Sequence, residues 1–220
     1  MIYSKFTKIK AIKIATSNDR EVKRMKKLKN NVVALVPMKR EHIDGIFEAA
    51  QDSRIWEHMS VDLTTKENVI RYVEDALNKQ ANGTDFAFVI IDQLTRKIVG
   101  CTWFLDIAMP HKRLEIGSTW ITPSHWRTSV NTNCKYLLLQ YCFEELQLNR
   151  VQIKTGHENV RSQKAIERIG ATKEGVLRNH MIRKEGTIRH TVMYSIIQEE
   201  WPQIKKHFEE CLLIRGSKGA

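Results

Sequence analysis

The segment HWRTSVNTNCK, residues 125–135, lies between a strand-like run and a strongly apolar run that is typical of a helix. A helix N-terminus leaves about four backbone N–H groups unpaired and carries a positive partial charge, so a loop that leads into a helix can bind a phosphate. The segment has no glycine. The donors are backbone groups, however, and glycine only eases their close approach. These residue types allow a phosphate site, and an ordinary helix start would look the same.

Two other segments carry groups that could move a proton or donate a hydrogen bond. In NVRS, residues 159–162, Asn159 and Ser162 have the types and spacing of a helix N-cap and its first turn. Glu115 stands in a strand-like segment, where a glutamate commonly faces solvent. A carboxylate in a cleft can also act as a base, because an alkylammonium with a pKa near ~10 must lose a proton before it attacks a thioester. From the residues alone, a solvent-facing Glu115 is the favoured interpretation, and NVRS fits an ordinary helix start.

The spacing of histidine and cysteine favours neither a metal centre nor a disulfide framework. The eight histidines include no H-x-x-x-H pair, and the four cysteines include no C-x-x-C pair. Each cysteine falls in an apolar segment; they are Cys101, Cys134, Cys142 and Cys211. We expect no metal ion, and we expect buried, reduced thiols in a cytoplasmic protein.

Composition and charge indicate one globular domain with a basic extension. The chain has 220 residues, 42% of them apolar, and no apolar run near the ~20 residues that span a bilayer. Residues 1–30 hold ten Lys or Arg against two acidic residues, a net +8 of the total +11. Because the remaining chain is nearly balanced, its charge does not indicate a nucleic-acid-binding domain. The extension is either merely solvated or in weak contact with RNA, the ribosome or an anionic membrane surface.

Apolar periodicity predicts the elements that would position these residues. After a first strand and two helices, the segments DFAFVIID, KIVGCTWFL and KRLEIGSTWIT predict an antiparallel meander. The second helix opens with Thr64 and Glu67 at capping-box spacing and ends near Gly83. Helix, strand and helix follow, and Glu185 and Gly186 predict a turn between the two last strands.

This order predicts a mixed α/β fold with a central, mostly antiparallel sheet of six to seven strands flanked by helices. The basic extension covers residues 1–30, the domain residues 31–200, and a closing helix with its tail residues 201–220. Two strand-to-helix crossovers, at residues 112–146 and 150–170, carry the candidate phosphate loop and the NVRS segment. A helix that follows a strand directs its N-terminus toward the end of the sheet, so chemistry is expected there.

Five motifs in a fixed order connect these elements to a known family: EIGSTWITP, HWRTSVNTNCKYLLLQYCFEEL, NRVQIKT, NVRSQKAIERIGATKEGVLR and GTIRHTVMYSII. With them, residues 33–197 resemble the GNAT superfamily of N-acetyltransferases, and within it the ribosomal-protein N-terminal (RimJ/RimL-like) branch. Each motif alone is weak, and the set is specific. The resemblance implies acetyl-CoA as co-substrate and direct transfer of its acetyl group to an amine.

The resemblance also implies which residues carry the reaction. Glu115 stands where the family has the carboxylate that deprotonates the attacking ammonium, directly or through water. Ser162 stands where a group can hydrogen-bond the thiol sulfur and return a proton to the thiolate. Many relatives use a tyrosine for this task, and here Ile166 stands at the tyrosine position. A thiolate is a fair leaving group, so a weak acid suffices.

The remaining implied contacts hold the cofactor. Asn159 would contact the arm of CoA. Strand amides would hold the pantetheine and polarise the acetyl carbonyl, and they belong to Trp120, Ile121 and Thr122. Loop residues would bind the pyrophosphate, and they are Arg127, Thr128, Ser129, Val130, Asn131 and Thr132.

The loop departs from the superfamily pattern Q/R-x-x-G-x-G/A. Trp126 stands at its first position, Ser129 at its first glycine and Asn131 at its second small residue. If Ser129 takes positive φ, the left-handed geometry costs about 1 kcal/mol, which would weaken CoA binding severalfold. The serine hydroxyl could in turn reach a phosphate.

These expectations converge on a cytoplasmic, acetyl-CoA-dependent N-acetyltransferase. Its acceptor is open among a protein N-terminus, a polyamine, an amino sugar and an antibiotic, and a homodimer is plausible by base rate. The alternative from another class is a CoA-binding or RNA- and ribosome-associated module with weakened catalysis, in which the basic extension supplies the function.

Overall fold

A single eight-stranded sheet organises the part of the chain that the computed structural model describes, residues 25–183 and 185–214. Its strands are β1 (Leu28–Lys29), β2 (Val33–Pro37), β3 (Phe86–Asp92), β4 (Ile98–Ala108), β5 (Arg113–Ile121), β6 (Arg150–Gly156), β7 (Thr172–Ile182) and β8 (Ile188–Ile197). Their spatial order is β1-β2-β3-β4-β5-β6-β8-β7. The expected mixed α/β fold is confirmed, with eight strands instead of six to seven.

Five α-helices pack on this sheet: α1 (Ile43–Ala49), α2 (Lys66–Asn82), α3 (Val130–Gln140), α4 (Val160–Arg168) and α5 (Trp201–His207). Two of them continue into a π turn, α3 through Tyr141–Glu145 and α5 through Phe208–Leu212. In the part of the chain described, no helix is long and apolar enough to cross a membrane.

The helix ends follow the local chemistry of the sequence. Gly83 ends α2 with φ +71°, a left-handed conformation that glycine adopts at little cost. The N-cap of α2 is Thr65, whose hydroxyl accepts from Asn68 N at 3.3 Å, and not Thr64 as the capping-box spacing predicts. Thr64 is held in the preceding loop instead, because its hydroxyl donates to Asp62 Oδ1 at 2.7 Å.

Apolar clusters cover the two faces of the sheet. On one face, Leu138 of α3 and Phe208 after α5 are fully buried against the strands. On the other face, Ile46 of α1 and Val73 of α2 are fully buried. These layers hold β4 and β5 firmly, so the position of β5 relative to α3 is set by the core.

The strand β1 lies within the segment that the charge pattern assigns to the extension. Leu28 pairs with Leu35 of β2, and Met25 and Leu28 are each 7% exposed. Residues 25–30 thus pack on the sheet, and residues 1–24 lie outside the described part. Cys101, Cys134 and Cys142 are buried free thiols as expected, but Cys211 is exposed because it follows Phe208 on the solvent side of the last π turn.

Candidate active site

A gap opens in the sheet between β5 and β6. These neighbours form the one parallel pair in the described sheet, and they pair only from Arg113 with Arg150 to Glu115 with Gln152. Beyond that point β5 stays with β4 up to Ile121, while β6 stays with β8 up to Gly156. Because the two strands then follow different partners, their inner edges separate and leave room between them.

Glu115 occupies the point where the two strands part. Its side chain is only 3% exposed. Its Oε2 accepts from Gln152 Nε2 at 3.0 Å and pairs with Lys154 Nζ at 2.9 Å. Its Oε1 lies above Gly117, where an added Cβ would be 2.8 Å away. One carboxylate oxygen is therefore engaged by β6, and the other faces a position that only glycine leaves open.

A β-bulge shapes the strand just beyond Glu115. The register between β4 and β5 shifts between Cys101 and Trp103, and Ser118 takes φ +45°. Such a bulge redirects the backbone and the side chains that follow it. As a result Trp120 packs in the same cluster as Trp103, on the face that carries α1 and α2.

A buried lysine from α3 contacts this bulge. Lys135 is 7% exposed, and its Nζ donates to Thr119 Oγ1 at 3.0 Å. The Thr119 hydroxyl in turn lies 2.8 Å from that of Thr102 on β4. Burial lowers the pKa of Lys135 to about 8, although the nearby Cys134 and Glu115 act to raise it. The ammonium group thus joins α3 to the two bulged strands beneath the gap.

The strand amides of the predicted pantetheine site differ in their availability. Thr122 N donates to Val99 O at 2.8 Å, so this amide is engaged in the pairing of β5 with β4. Successive N–H groups of a strand point to opposite sides, so the N–H of Ile121 points away from β4, toward the gap. The N–H of Trp120 points toward β4 by the same alternation.

The predicted phosphate loop leads into α3 at the wide end of the gap. The residue with positive φ is Arg127 at +62°, whereas Ser129 has φ −74° and is helical. The strain expected at Ser129 is absent, because the turn is made two residues earlier. The hydroxyl of Thr128 accepts from Val130 N at 3.3 Å and therefore supports the first turn of the helix.

The first turn of α3 leaves donors open. Asn133 N makes the first helical bond, to Ser129 O at 2.9 Å, so the N–H groups of Asn131 and Thr132 have no backbone partner among the described residues. Arg127 is exposed, and in the described chain its guanidinium has neither a hydrogen bond nor an ion pair. Open amides and a free guanidinium are the donors that a pyrophosphate needs.

The NVRS segment forms the start of α4, next to that loop. Asn159 Oδ1 accepts from Ser162 N at 3.0 Å, so Asn159 is the N-cap. The Ser162 hydroxyl makes no hydrogen bond to any residue that the structure describes. The guanidinium of Arg161 lies 4.4 Å above the Trp126 ring, and Arg168 Nη2 donates to Thr132 Oγ1 at 2.8 Å. The start of α4 therefore contacts the loop at Trp126, and its last residue contacts the first turn of α3.

The topology places the loop after β5 and Ser162 after β6, the two strands that part at Glu115. The sequence did not identify Gln152, Lys154 or Lys135 as parts of this site. Gln152 and Lys154 alternate with buried residues along β6, a pattern that also fits an ordinary solvent-facing strand. The signal for Lys135 was a single charge inside the apolar run of α3.

Well over half of the sequence matches one protein family. The model of the acetyltransferase (GNAT) domain matches residues 33–172. The chain belongs to the GNAT acetyltransferase family. It is similar to p20, an uncharacterized N-acetyltransferase of Bacillus licheniformis, with 27% identity over 182 residues, 80% of this chain and 99% of that protein.

Solved structures of GNAT proteins share the fold. A GCN5-related N-acetyltransferase from Brucella melitensis matches with a TM-score of 0.79 and 26% identity, over 85% of each chain. RimJ of Mycobacterium smegmatis, solved in complex with CoA-disulfide, matches with a TM-score of 0.72 and 21% identity, over 86% of this chain and 93% of that one. The resemblance implied by the five motifs is confirmed, and this GNAT protein is an N-acetyltransferase.

Proposed function

We propose that this GNAT protein transfers the acetyl group of acetyl-CoA directly to a primary amine in the gap between β5 and β6. The observation that carries the proposal is the position of Glu115, buried where the two strands part, with Oε1 directed at the Cβ-free surface of Gly117. A carboxylate at the closed end of a gap can deprotonate an amine, while helix amides at the open end can bind a phosphate, so the two substrates would meet between them.

The loop fits the cofactor that the family uses. The open N–H groups of Asn131 and Thr132 and the exposed Arg127 would hold the pyrophosphate, and Ser129 would line it with its hydroxyl. The Thr128 hydroxyl donates to His125 O at 2.8 Å and so supports the loop itself. Val130 is buried and would anchor the loop from below. When bound there, acetyl-CoA supplies an activated acyl group whose pantetheine arm would run along the gap past Ile121 and Asn159.

The protein groups then handle the protons of the transfer. Glu115 Oε1 accepts one proton from the incoming ammonium, and the amine nitrogen attacks the thioester carbonyl. A C–N bond forms and the C–S bond breaks. The thiolate takes a proton from the Ser162 hydroxyl, which is replaced from the second proton of the nitrogen through solvent. Glu115 then releases its proton to solvent, so the products are an amide, a free thiol and one proton, and the protein is unchanged.

Lys154 orients the carboxylate of Glu115, the proposed base. Because Lys154 Nζ and Gln152 Nε2 both bind Oε2, they fix the carboxylate plane and leave Oε1 for the amine. The buried thiols of Cys101, Cys134 and Cys142 fit a reducing compartment, so we place the reaction in the cytoplasm. The alternative of a non-catalytic module is not favoured, since the matched family is one of acetyltransferases.

The test compares Glu115→Gln with the parent protein and with Glu74→Gln, which removes a surface carboxylate paired with Arg40. We expect Glu115→Gln to lower turnover about 10²- to 10⁴-fold while the acetyl-CoA affinity stays within about twofold. Glu74→Gln should match the parent in both. Thiol release with a panel of amines gives turnover, and calorimetry gives affinity. Equal rates for Glu115→Gln and the parent at every pH would remove Glu115 as the base.

A further inference from the structure

Arg189 on β8 lies on the same face of the sheet as the proposed base and has no ion-pair partner among the described residues. Its Nε is buried and has no hydrogen-bond partner in the described part of the chain. Across the described residues, no carboxylate pairs with its guanidinium, although the side chain is only half-buried. Leaving a buried donor of a charged group unpaired costs free energy, so such a group commonly gains a partner when a ligand binds.

The side chain lies on the face of the sheet that carries Glu115. An added Cβ on Gly156 would be 3.2 Å from Arg189 Nε, so the guanidinium stem runs flat over the end of β6. Gly156 shares its face with Lys154 and Gln152, because alternate residues of a strand point to one side. Both of those residues bind Glu115 Oε2. Arg189 and the proposed base therefore lie on the same face of the sheet.

The charges on this surface do not balance. Lys154 pairs with Glu115, and Arg183 pairs with Glu158. Those two pairs cancel, and Arg189 is left without a carboxylate partner among the described residues. Burial lowers the pKa of Arg189, the positive charge of Arg183 lowers it further, and only Glu115 opposes them. An anion placed against Arg189 would relieve both the desolvation of Nε and the repulsion between the two arginines.

We propose that Arg189 binds an oxyanion carried by the acceptor amine, a carboxylate or a phosphate, and so makes this enzyme selective for anionic acceptors. This inference rests on the proposed transfer to an amine. Arginine suits the task, since its planar fork matches either oxyanion with two parallel hydrogen bonds. The anionic group would sit over Gly156 while the amine reaches toward Glu115.

The test uses matched acceptor pairs that differ in one anionic group: β-alanine against β-alaninamide, O-phosphoethanolamine against ethanolamine, and the peptide Asp-Ala-Ala against Asn-Ala-Ala. We expect the anionic member of at least one pair to show a kcat/KM about 10- to 100-fold higher, mainly through a lower KM. The pair that responds identifies the source of the oxyanion. Equal kcat/KM within all three pairs would overturn the proposal.

Variants separate recognition from folding. Arg189→Gln should remove the preference within the responding pair and leave the rate with its neutral member within about twofold. Arg189→Lys keeps the charge without the fork and should retain part of the preference. Arg96→Gln changes the net charge equally in the β3–β4 turn and should leave the preference intact. A similar loss with the neutral and the anionic member in Arg189→Gln would assign Arg189 a merely structural role.

A binding measurement keeps this proposal distinct from the proposed function. With acetyl-CoA saturating the loop, inorganic phosphate and succinate are titrated by calorimetry into the parent and Arg189→Gln. Binding of either anion that disappears in Arg189→Gln supports the anion site, even if none of the amines turns over. Absence of turnover with every amine overturns the proposed transfer alone. Absence of Arg189-dependent binding and preference overturns the anion site alone.

Discussion

At the gap, Ser162 and Glu115 each use one polar group for a structural contact and keep another for the proposed reaction. The backbone N–H of Ser162 is used by the Asn159 cap, whereas its hydroxyl has no hydrogen bond in the described chain. Lys154 holds one oxygen of Glu115 and leaves the other toward Gly117. At each of these residues one group serves the fold and a second group remains for chemistry.

Ser162→Ala should slow the transfer without loosening the helix. We expect turnover to fall up to about 100-fold, because the thiolate loses its proton donor. The free energy of unfolding should stay within about 0.5 kcal/mol, since the cap uses the backbone of Ser162. Asn159→Ala is the control and should lose about 1 kcal/mol as the cap disappears. Steady-state rates and urea denaturation measure these effects. Full activity of Ser162→Ala would leave the thiolate to be protonated by solvent.

At the scale of elements, the turn before α3 decides how the phosphate loop is built. The left-handed residue is Arg127 and not Ser129. The loop therefore makes its left-handed turn with Arg127, whose side chain has no partner among the described residues, where the superfamily pattern relies on glycine. Ser129→Gly should leave acetyl-CoA affinity unchanged or slightly weaker, and tighter binding would show that Ser129 is strained after all.

Arg127→Gly tests the loop against a matched turn. Arg96, between β3 and β4, has φ +61° and lies outside the site. Replacing either arginine by glycine should raise the free energy of unfolding by up to about 1 kcal/mol, because left-handed backbone is costly for side chains. Only Arg127→Gly should weaken acetyl-CoA binding, by about tenfold, through loss of a charged hydrogen bond. Calorimetry that finds equal affinities for the two variants would exclude Arg127 from the phosphate contact.

The contact between α3 and the bulge predicts a pH dependence. Burial lowers the pKa of Lys135 from 10.5 to about 8, so between these values the unfolded chain binds more protons than the folded one. The contribution of Lys135 to the free energy of unfolding therefore increases between about pH 8 and pH 10.5. Below pH 8 the buried lysine is charged, and the full cost of burying that charge destabilises the fold. Lys135→Met should raise the free energy of unfolding at pH 7 by about 1–3 kcal/mol and abolish this rise.

Two measurements test the predicted pH dependence of Lys135. Denaturation midpoints of the parent and Lys135→Met, taken between pH 6 and pH 10.5, should converge as the pH increases. A constant difference across the range would contradict the lowered pKa. Turnover of Lys135→Met should also decrease, because the Thr119 hydroxyl loses the ammonium that ties the bulge to α3. Unchanged turnover would show that the bulge holds its shape without the lysine.

For the whole molecule, the first described residues belong to the catalytic domain. Met25 and Leu28 are buried, and Asn30 Nδ2 donates to Asn133 Oδ1 at 2.8 Å in the first turn of α3. The first described residues therefore join the edge strand of the sheet to the helix that follows the proposed cofactor loop. The net charge of +8 counted over residues 1–30 includes three lysines, Lys26, Lys27 and Lys29, that lie in this packed part.

Two truncations test this boundary. Removal of residues 1–24 should keep turnover within about twofold, because every described contact remains. Removal of residues 1–30 should lower the free energy of unfolding by about 3–6 kcal/mol, because the buried side chains of Met25 and Leu28 are lost. It should also weaken acetyl-CoA binding, because Asn133 loses its hydrogen bond from Asn30. Thermal melting and calorimetry measure both. Loss of turnover on removing residues 1–24, or salt-dependent RNA binding that disappears with them, would give the extension a function of its own.

The sequence by itself determined most of the secondary-structure elements and their order along the chain. Local patterns predicted β2 to β8, the α-helices of the described residues, Gly83 as the end of α2 and the turn at Gly186, because such signals depend on neighbours within a few residues. They missed β1, a strand of two residues within the basic extension. The five motifs, taken together, predicted the family. The capping residue of α2 was missed by one position, since Asp62 competes for Thr64 through a contact that spacing does not reveal.

Only the tertiary structure decided what stands around Glu115. Lys154 and Gln152 reach it because β5 and β6 pair over three residues and then part, a relation between segments about 35 residues distant in sequence. Lys135 meets the bulge through the packing of α3, and Arg189 arrives from β8 over a glycine of β6. Local sequence fixes backbone preference, but burial and charge pairing depend on which distant residues the sheet brings into contact.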